Sequence, residues 1–146
     1  MLEPLAALDR HTAERPDAIA LATPRRSYTF EQLTAAVEAV AERLSSAVTV
    51  GMIVGVDLLT AQEWIVDLAL FRLAAVSVSL RGVRSTDPVD LLITTPGRRE
   101  SASSAVIEVD ELWLDAAVAA ASGAAPLVEF DGDDAIVRLI MTSGTT

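Results

Sequence analysis

In "FEQLTAAVEAVAERL" the apolar residues Phe30, Leu33, Ala36, Val37, Val40, Ala41 and Leu44 recur at three and four, with Glu31, Glu38, Glu42 and Arg43 between them. This stripe predicts an amphipathic helix. Thr29 and Gln32 at its start form a capping-box pattern, in which each side chain accepts from a backbone amide that the first turn leaves without a partner. Upstream, the amphipathic stretch from Leu2 to Ala13 predicts a short helix that stops before Pro16, because proline disfavours helix in the residue before it. Ala18–Thr23 and Ser27–Phe30, on either side of Pro24-Arg25-Arg26, read as two strands of a hairpin.

Downstream the period changes. "MIVGVDLL", Met52–Leu59, is a continuous apolar run of strand length, the mark of a central strand covered on both faces. "AQEWIVDLALFRLAA" from Ala61 is helical, with Glu63, Asp67 and Arg72 as its polar positions. "VSVSL", Val76–Leu80, alternates and is β-branched, so strand, helix and strand form a parallel βαβ unit. Asp90–Thr95 and Ser104–Val109 add two buried strands, Asp110–Ser122 a capped helix ended by Gly123, and "AIVRLIMT" from Ala135 a last strand. "RGVRSTDP" and "PGRRESAS" are loops. The alternation predicts an α/β fold with a mainly parallel sheet flanked by helices.

With 146 residues the chain makes one domain, and 51% hydrophobic and 22% charged residues exclude wholesale disorder. The net charge of −10 argues against nucleic-acid partners and anionic membrane surfaces. No apolar run is long enough for a membrane span, and the acidic N-terminus lacks the pattern of a secretory signal. A cytoplasmic protein is expected. All eleven basic residues are arginine and cysteine is absent, which excludes lysine chemistry, disulfides and thiol nucleophiles in this chain.

Candidate chemistry concentrates at the end, in "RLIMTSGTT". A strand opening into hydroxyl residues and a glycine suits phosphate, since amides converge on the anion, glycine admits close approach and hydroxyls donate. Thr142, Ser143, Gly144, Thr145 and Thr146 are the candidates. "DGDD" at Asp131–Asp134 reads as a turn, since no acid follows at calcium-loop spacing. The lone His11 reads as a surface or boundary residue. Glu63 suits the dipole at a helix start, Trp64 is expected in the core, and Asp110 caps a helix.

"DDAIVRLIMTSGTT" resembles the acidic turn, strand and phosphate loop of the adenylate-forming enzymes: acyl- and aryl-CoA synthetases, nonribosomal peptide synthetase adenylation domains and luciferases. "HTAERPDAIALATPRRSYTFEQLTAAVEAVAERL" resembles the opening of the same family, and "VGMIVGVDLLTAQEWIVDLALFRLAAVSVSL" the strand-helix-strand that follows, with its Glu-Trp pair. The resemblance covers essentially the whole chain. There are departures: Met52 stands where the family usually has an acid, Ala74 or Ala75 where it has a glycine, and a proline is missing around Ser79. "RGVRSTDPVD" is also too short for the helix usual there.

The resemblance implies an N-terminal subdomain of an AMP-binding (adenylation) domain over residues 1–146, ending within the phosphate-binding loop. It implies ATP and Mg as cofactors of the full-length enzyme, with none bound tightly by the fragment. The partners would be a carboxylic acid substrate and coenzyme A or a carrier-protein phosphopantetheine, with fatty acid metabolism as a setting. By resemblance Thr142, Ser143, Thr145 and Thr146 contact phosphate oxygens and Gly144 gives clearance, while catalytic and metal-binding residues lie outside the fragment, which alone is expected to be inactive. The alternatives are an adenylation domain loading a carrier protein, and a noncatalytic interaction module whose unpaired sheet edge invites self-association.

Overall fold

A computed structural model describes residues 1–80, 89–97, 105–130 and 135–140. The candidates Thr142, Ser143, Gly144, Thr145 and Thr146 lie outside the described residues, as do the Asp131–Asp134 turn and most of the loops "RGVRSTDP" and "PGRRESAS".

Helix α1 (Glu3–Glu14) has Pro4 in its first turn, where the missing amide costs no hydrogen bond, and buries Leu5 and Leu8. Strands β1 (Ile19–Ala22) and β2 (Ser27–Thr29) pair antiparallel as the expected hairpin, and the Thr23 hydroxyl accepts from the amides of Arg25 and Arg26 in its turn. Helix α2 (Phe30–Leu44) starts in the capping box: the Gln32 amide donates to Thr29 Oγ1 at 3.2 Å and the Thr29 amide to Gln32 Oε1 at 3.0 Å.

Strand β3 (Ile53–Asp57), helix α3 (Thr60–Arg72) and strand β4 (Val76–Ser79) make the βαβ unit, with β3 and β4 parallel. Strands β5 (Leu91–Thr94) and β6 (Ala105–Glu108), helix α4 (Glu111–Ala120) and strand β7 (Arg138–Ile140) complete the described elements. The sheet order is β6-β5-β3-β4-β7 with every pairing parallel. Strand β3 is central, as expected of its unbroken apolar run. Val54 and Val56 are buried in the main core, while a Cβ on Gly55 would lie 2.6 Å from Leu80 Cδ1 and 3.2 Å from a Val89 methyl.

The main core gathers Leu44, Ile65, Leu70, Val37 and Val40 from α2 and α3 with Val54, Val56 and Ile93 from the sheet. Helix α2 packs on α1, α3 and α4. The α4 cap is as expected, the Trp113 amide donating to Asp110 Oδ1 at 2.8 Å. Arg26 ties α4 to the hairpin through Asp115 at 2.8 Å, and Arg43 lies over the Trp113 ring.

The expected polar face of α3 is corrected by the structure. Glu63 and Asp67 are buried, and Trp64, expected in the core, is 53% exposed. The two acids, one turn apart, occupy the stripe that faces the sheet. Trp64, one residue round the helix from Glu63, is thereby turned outward.

Candidate functional site

In an open parallel sheet ligands bind beyond the carboxyl ends of the strands. Strand β7 runs parallel to β4 in the register Ser77↔Arg138, Val78↔Leu139, Ser79↔Ile140. Its last described residue, Ile140, therefore lies level with Ser79, the last residue of β4, and the Thr142–Thr146 segment follows shortly after it in the sequence. The phosphate-binding residues inferred from the sequence are thus joined to a described strand, although they lie outside the described residues themselves.

What seats β7 is a cluster of charges. Arg138 donates through Nη1 to Asp67 Oδ2 and through Nη2 to Glu63 Oε1, the latter at 3.2 Å. Ser79 Oγ donates to the same Glu63 oxygen at 2.6 Å. Both carboxylates are buried and the guanidinium is about one-third exposed, at 32%. Both acids sit in a poorly solvated place. Burial accordingly pushes the Asp67 carboxyl up to about 6, with the Glu63 charge adding to the rise while Arg138 and Ser77 oppose it. The chemistry of the cluster is the fixing of one strand on one helix.

Sequence reasoning passed over this cluster by taking Glu63 and Asp67 as no more than polar positions of a helix, with Glu63 suited to its dipole. Two signals were present: acids four apart in a helix otherwise apolar nearly all round, and a single arginine within the apolar run of the last strand. A cavity of about 340 Å³ opens at the other end of β7, lined among others by Met1, Leu2, Phe71, Val128 and Val137. Among the described residues no group of three or more His, Asp or Glu could hold a metal ion, and no helix is long and apolar enough to cross a membrane.

No family model and no curated protein matches the sequence. Solved structures match it well. VinN is 22% identical with a TM-score of 0.82, covering 97% of this chain and 40% of its own. An artificially fused adenylation–PCP di-domain nonribosomal peptide synthetase, NpsA-ThdA from Klebsiella oxytoca, is 22% identical with a TM-score of 0.77, covering 95% of this chain and 28% of that one. The O-succinylbenzoate coenzyme A synthetase MenE from Bacillus subtilis, in complex with AMP, is 25% identical with a TM-score of 0.73, covering 95% of this chain and 39% of that one. These are adenylate-forming enzymes, and the chain has the fold of their N-terminal subdomain. It spans less than half the length of each.

Proposed function

We propose that this chain is the N-terminal part of an ATP-dependent carboxylic acid–thiol ligase, in which Thr142, Ser143, Gly144, Thr145 and Thr146 hold the phosphates of ATP while a carboxylate is converted to its acyl-adenylate. The observation that carries the reading is the placement of β7, whose last described residue, Ile140, lies level with Ser79 at the carboxyl end of β4 shortly before this segment in the sequence, in a fold shared with adenylate-forming enzymes.

The contribution of the chain is positional. Backbone amides and the hydroxyls of Thr142, Ser143, Thr145 and Thr146 donate to phosphate oxygens, and Gly144 lets the backbone approach. Such contacts act by alignment and by neutralising charge during in-line transfer at phosphorus. Magnesium would supply further neutralisation, with its ligands expected outside these residues. The chain lacks a lysine and brings no catalytic group, so alone it forms no adenylate. The thiol acceptor is coenzyme A, in an acyl-CoA synthetase, or the phosphopantetheine of a carrier protein, and the setting is the cytoplasm.

The test is to read the coding sequence past codon 146, express what it encodes, and measure ATP–pyrophosphate exchange over a panel of carboxylic acids. Exchange by the longer product and none by the 146-residue chain is expected. Exchange by this chain alone, or a stop codon directly after Thr146, overturns the proposal. A second reading, a noncatalytic module that self-associates, draws on one observation: among the described strands β7 has a neighbour on one side only. Sedimentation of the 146-residue chain decides whether that edge pairs.

A further inference from the structure

Helix α4 has no basic residue in its last turn, and beyond Ala121 the chain meets α2. There the Ser122 amide lies 3.1 Å from both carboxylate oxygens of Glu42, and the Ser122 hydroxyl donates to Glu42 Oε1 at 2.6 Å. These bonds join residues 80 positions apart in the sequence. Gly123 follows in left-handed backbone at φ +82°, a conformation in which successive amides can face one anion. The Glu42 carboxyl is held below the ordinary glutamate range, first by the Ser122 hydroxyl and then by the Ser122 amide, with burial opposing and the Ala124 and Gly123 amides adding to the fall.

This is the donor set of a carboxylate receptor. One amide bridges two oxygens, a hydroxyl takes one of them, and two further amides favour the same charge. Hydrogen bonds to an ionised oxygen are the strong ones. The charged neighbours of Glu42 along α2 have other partners: Glu38 faces Arg72 at 3.9 Å, and Arg43 lies over the Trp113 ring. Ser122, Gly123 and Ala124 are exposed, and nothing lies within 4 Å of the place a Gly123 Cβ would take, so the donors can be reached from solvent. We propose that Ser122, Gly123 and Ala124 form a carboxylate-binding nest that Glu42 fills, and that without the Glu42 side chain the nest takes up a free small carboxylate.

The filled nest is the first fastening of the segment from Ser122 to Val128. Further along, the Arg72 guanidinium reaches the Ala125 carbonyl at 3.5 Å and the Val128 amide donates to the Arg72 carbonyl at 2.7 Å. The segment is thus held to α2 by a carboxylate and to the end of α3 by Arg72. This inference is independent of the phosphate reading of Thr142–Thr146 and neither stands nor falls with ATP binding.

The experiment supplies the anion from outside. Sodium formate, with sodium chloride at the same concentrations as control, is added to isotope-labelled Glu42→Ala at neutral pH and followed by amide NMR. Saturable shifts of the Ser122, Gly123 and Ala124 amides are expected with formate, larger than with chloride and missing from the wild-type chain, together with slowing of their hydrogen exchange towards the wild-type rate. No saturable shift in the folded variant, an equal response to chloride, or an equal response of the wild-type chain overturns the proposal. Should Glu42→Ala not fold, the wild-type chain decides by acid titration. Its three nest amides are expected to shift together with the Glu42 carboxyl, at a midpoint below the ordinary glutamate value of 4.5, and amide shifts that do not follow that carboxyl overturn the proposal.

Discussion

The Gly51 amide donates to the Ala74 carbonyl at 2.8 Å, and both residues lie in left-handed backbone, Gly51 at φ +76° and Ala74 at +53°. The bond ties the turn before β3 to the end of α3. There the Ala75 amide reaches the Leu70 carbonyl at 3.0 Å and the Ala74 amide the Phe71 carbonyl at 3.2 Å, the paired bonds of a Schellman ending that favours glycine at the left-handed position. Ala74 is thus an alanine where the backbone asks for glycine, and it coincides with one of the two sites where the resembled family usually has one.

Substitution at Ala74 should follow the backbone rather than the volume. Ala74→Gly is expected to keep stability or raise it by up to about 1 kcal/mol, relief of left-handed strain outweighing one lost methyl. Ala74→Val should cost about 2 kcal/mol or more, because a β-branched residue is strained at positive φ and the site is buried. Urea denaturation of the three proteins checks the order. A valine variant as stable as the glycine variant would refute it.

Asp67 predicts a pH dependence of defined sign. Its folded value of about 6 lies above the ordinary aspartate value of 3.8, so between these values the folded state holds more proton than the unfolded one. Its contribution to stability is fully present below about pH 4 and is lost as pH rises through 6. A shift of this size corresponds to about 3 kcal/mol. Between pH 4 and 7 the wild-type chain should therefore lose about that much more stability than Asp67→Asn, by urea midpoints across the range. Parallel pH profiles for the two proteins would contradict the assignment.

The reciprocal cap of α2 gives a local test. Thr29→Ala removes the acceptor for the Gln32 amide and loosens the return bond, at a cost of about 1 kcal/mol. The melting temperature should fall by about 3 °C, and Thr29→Ser should recover most of it. No recovery with serine would locate the loss in packing.

Gly55 tests the crowding beneath the sheet. Its absent side chain is what lets Leu80 and Val89 cross the central strand. Gly55→Val, favourable by strand propensity alone, is expected to cost about 1–3 kcal/mol through overpacking. A more stable valine variant would show that Leu80 and Val89 move aside freely.

The hairpin, the capping box, the central strand and the Asp110 cap were all legible in the sequence, because each depends on residues within one turn or one strand of each other. Thr29 with Gln32, and Asp110 with the Trp113 amide, need only local backbone to meet. The apolar run around Val54 and Val56 declares a strand buried on both faces whatever its neighbours are. The alternation of helix and strand confined the chain to an α/β fold.

Only the tertiary structure brought Arg138 to Glu63 and Asp67, across some seventy positions of sequence, with hydrogen bonds spanning 71 and 75 residues. Helical period alone marked those acids as polar positions, and Trp64 was expected in the core. The structure buries the acids and turns Trp64 outward, because seating β7 beside β4 placed a guanidinium over the inward stripe of α3 and offered the acids a partner that made their burial tolerable. Charge pairing of this kind depends on strand order, which hydrophobic pattern does not encode, and it is strand order that sets Ile140 level with Ser79 at the carboxyl end of β4.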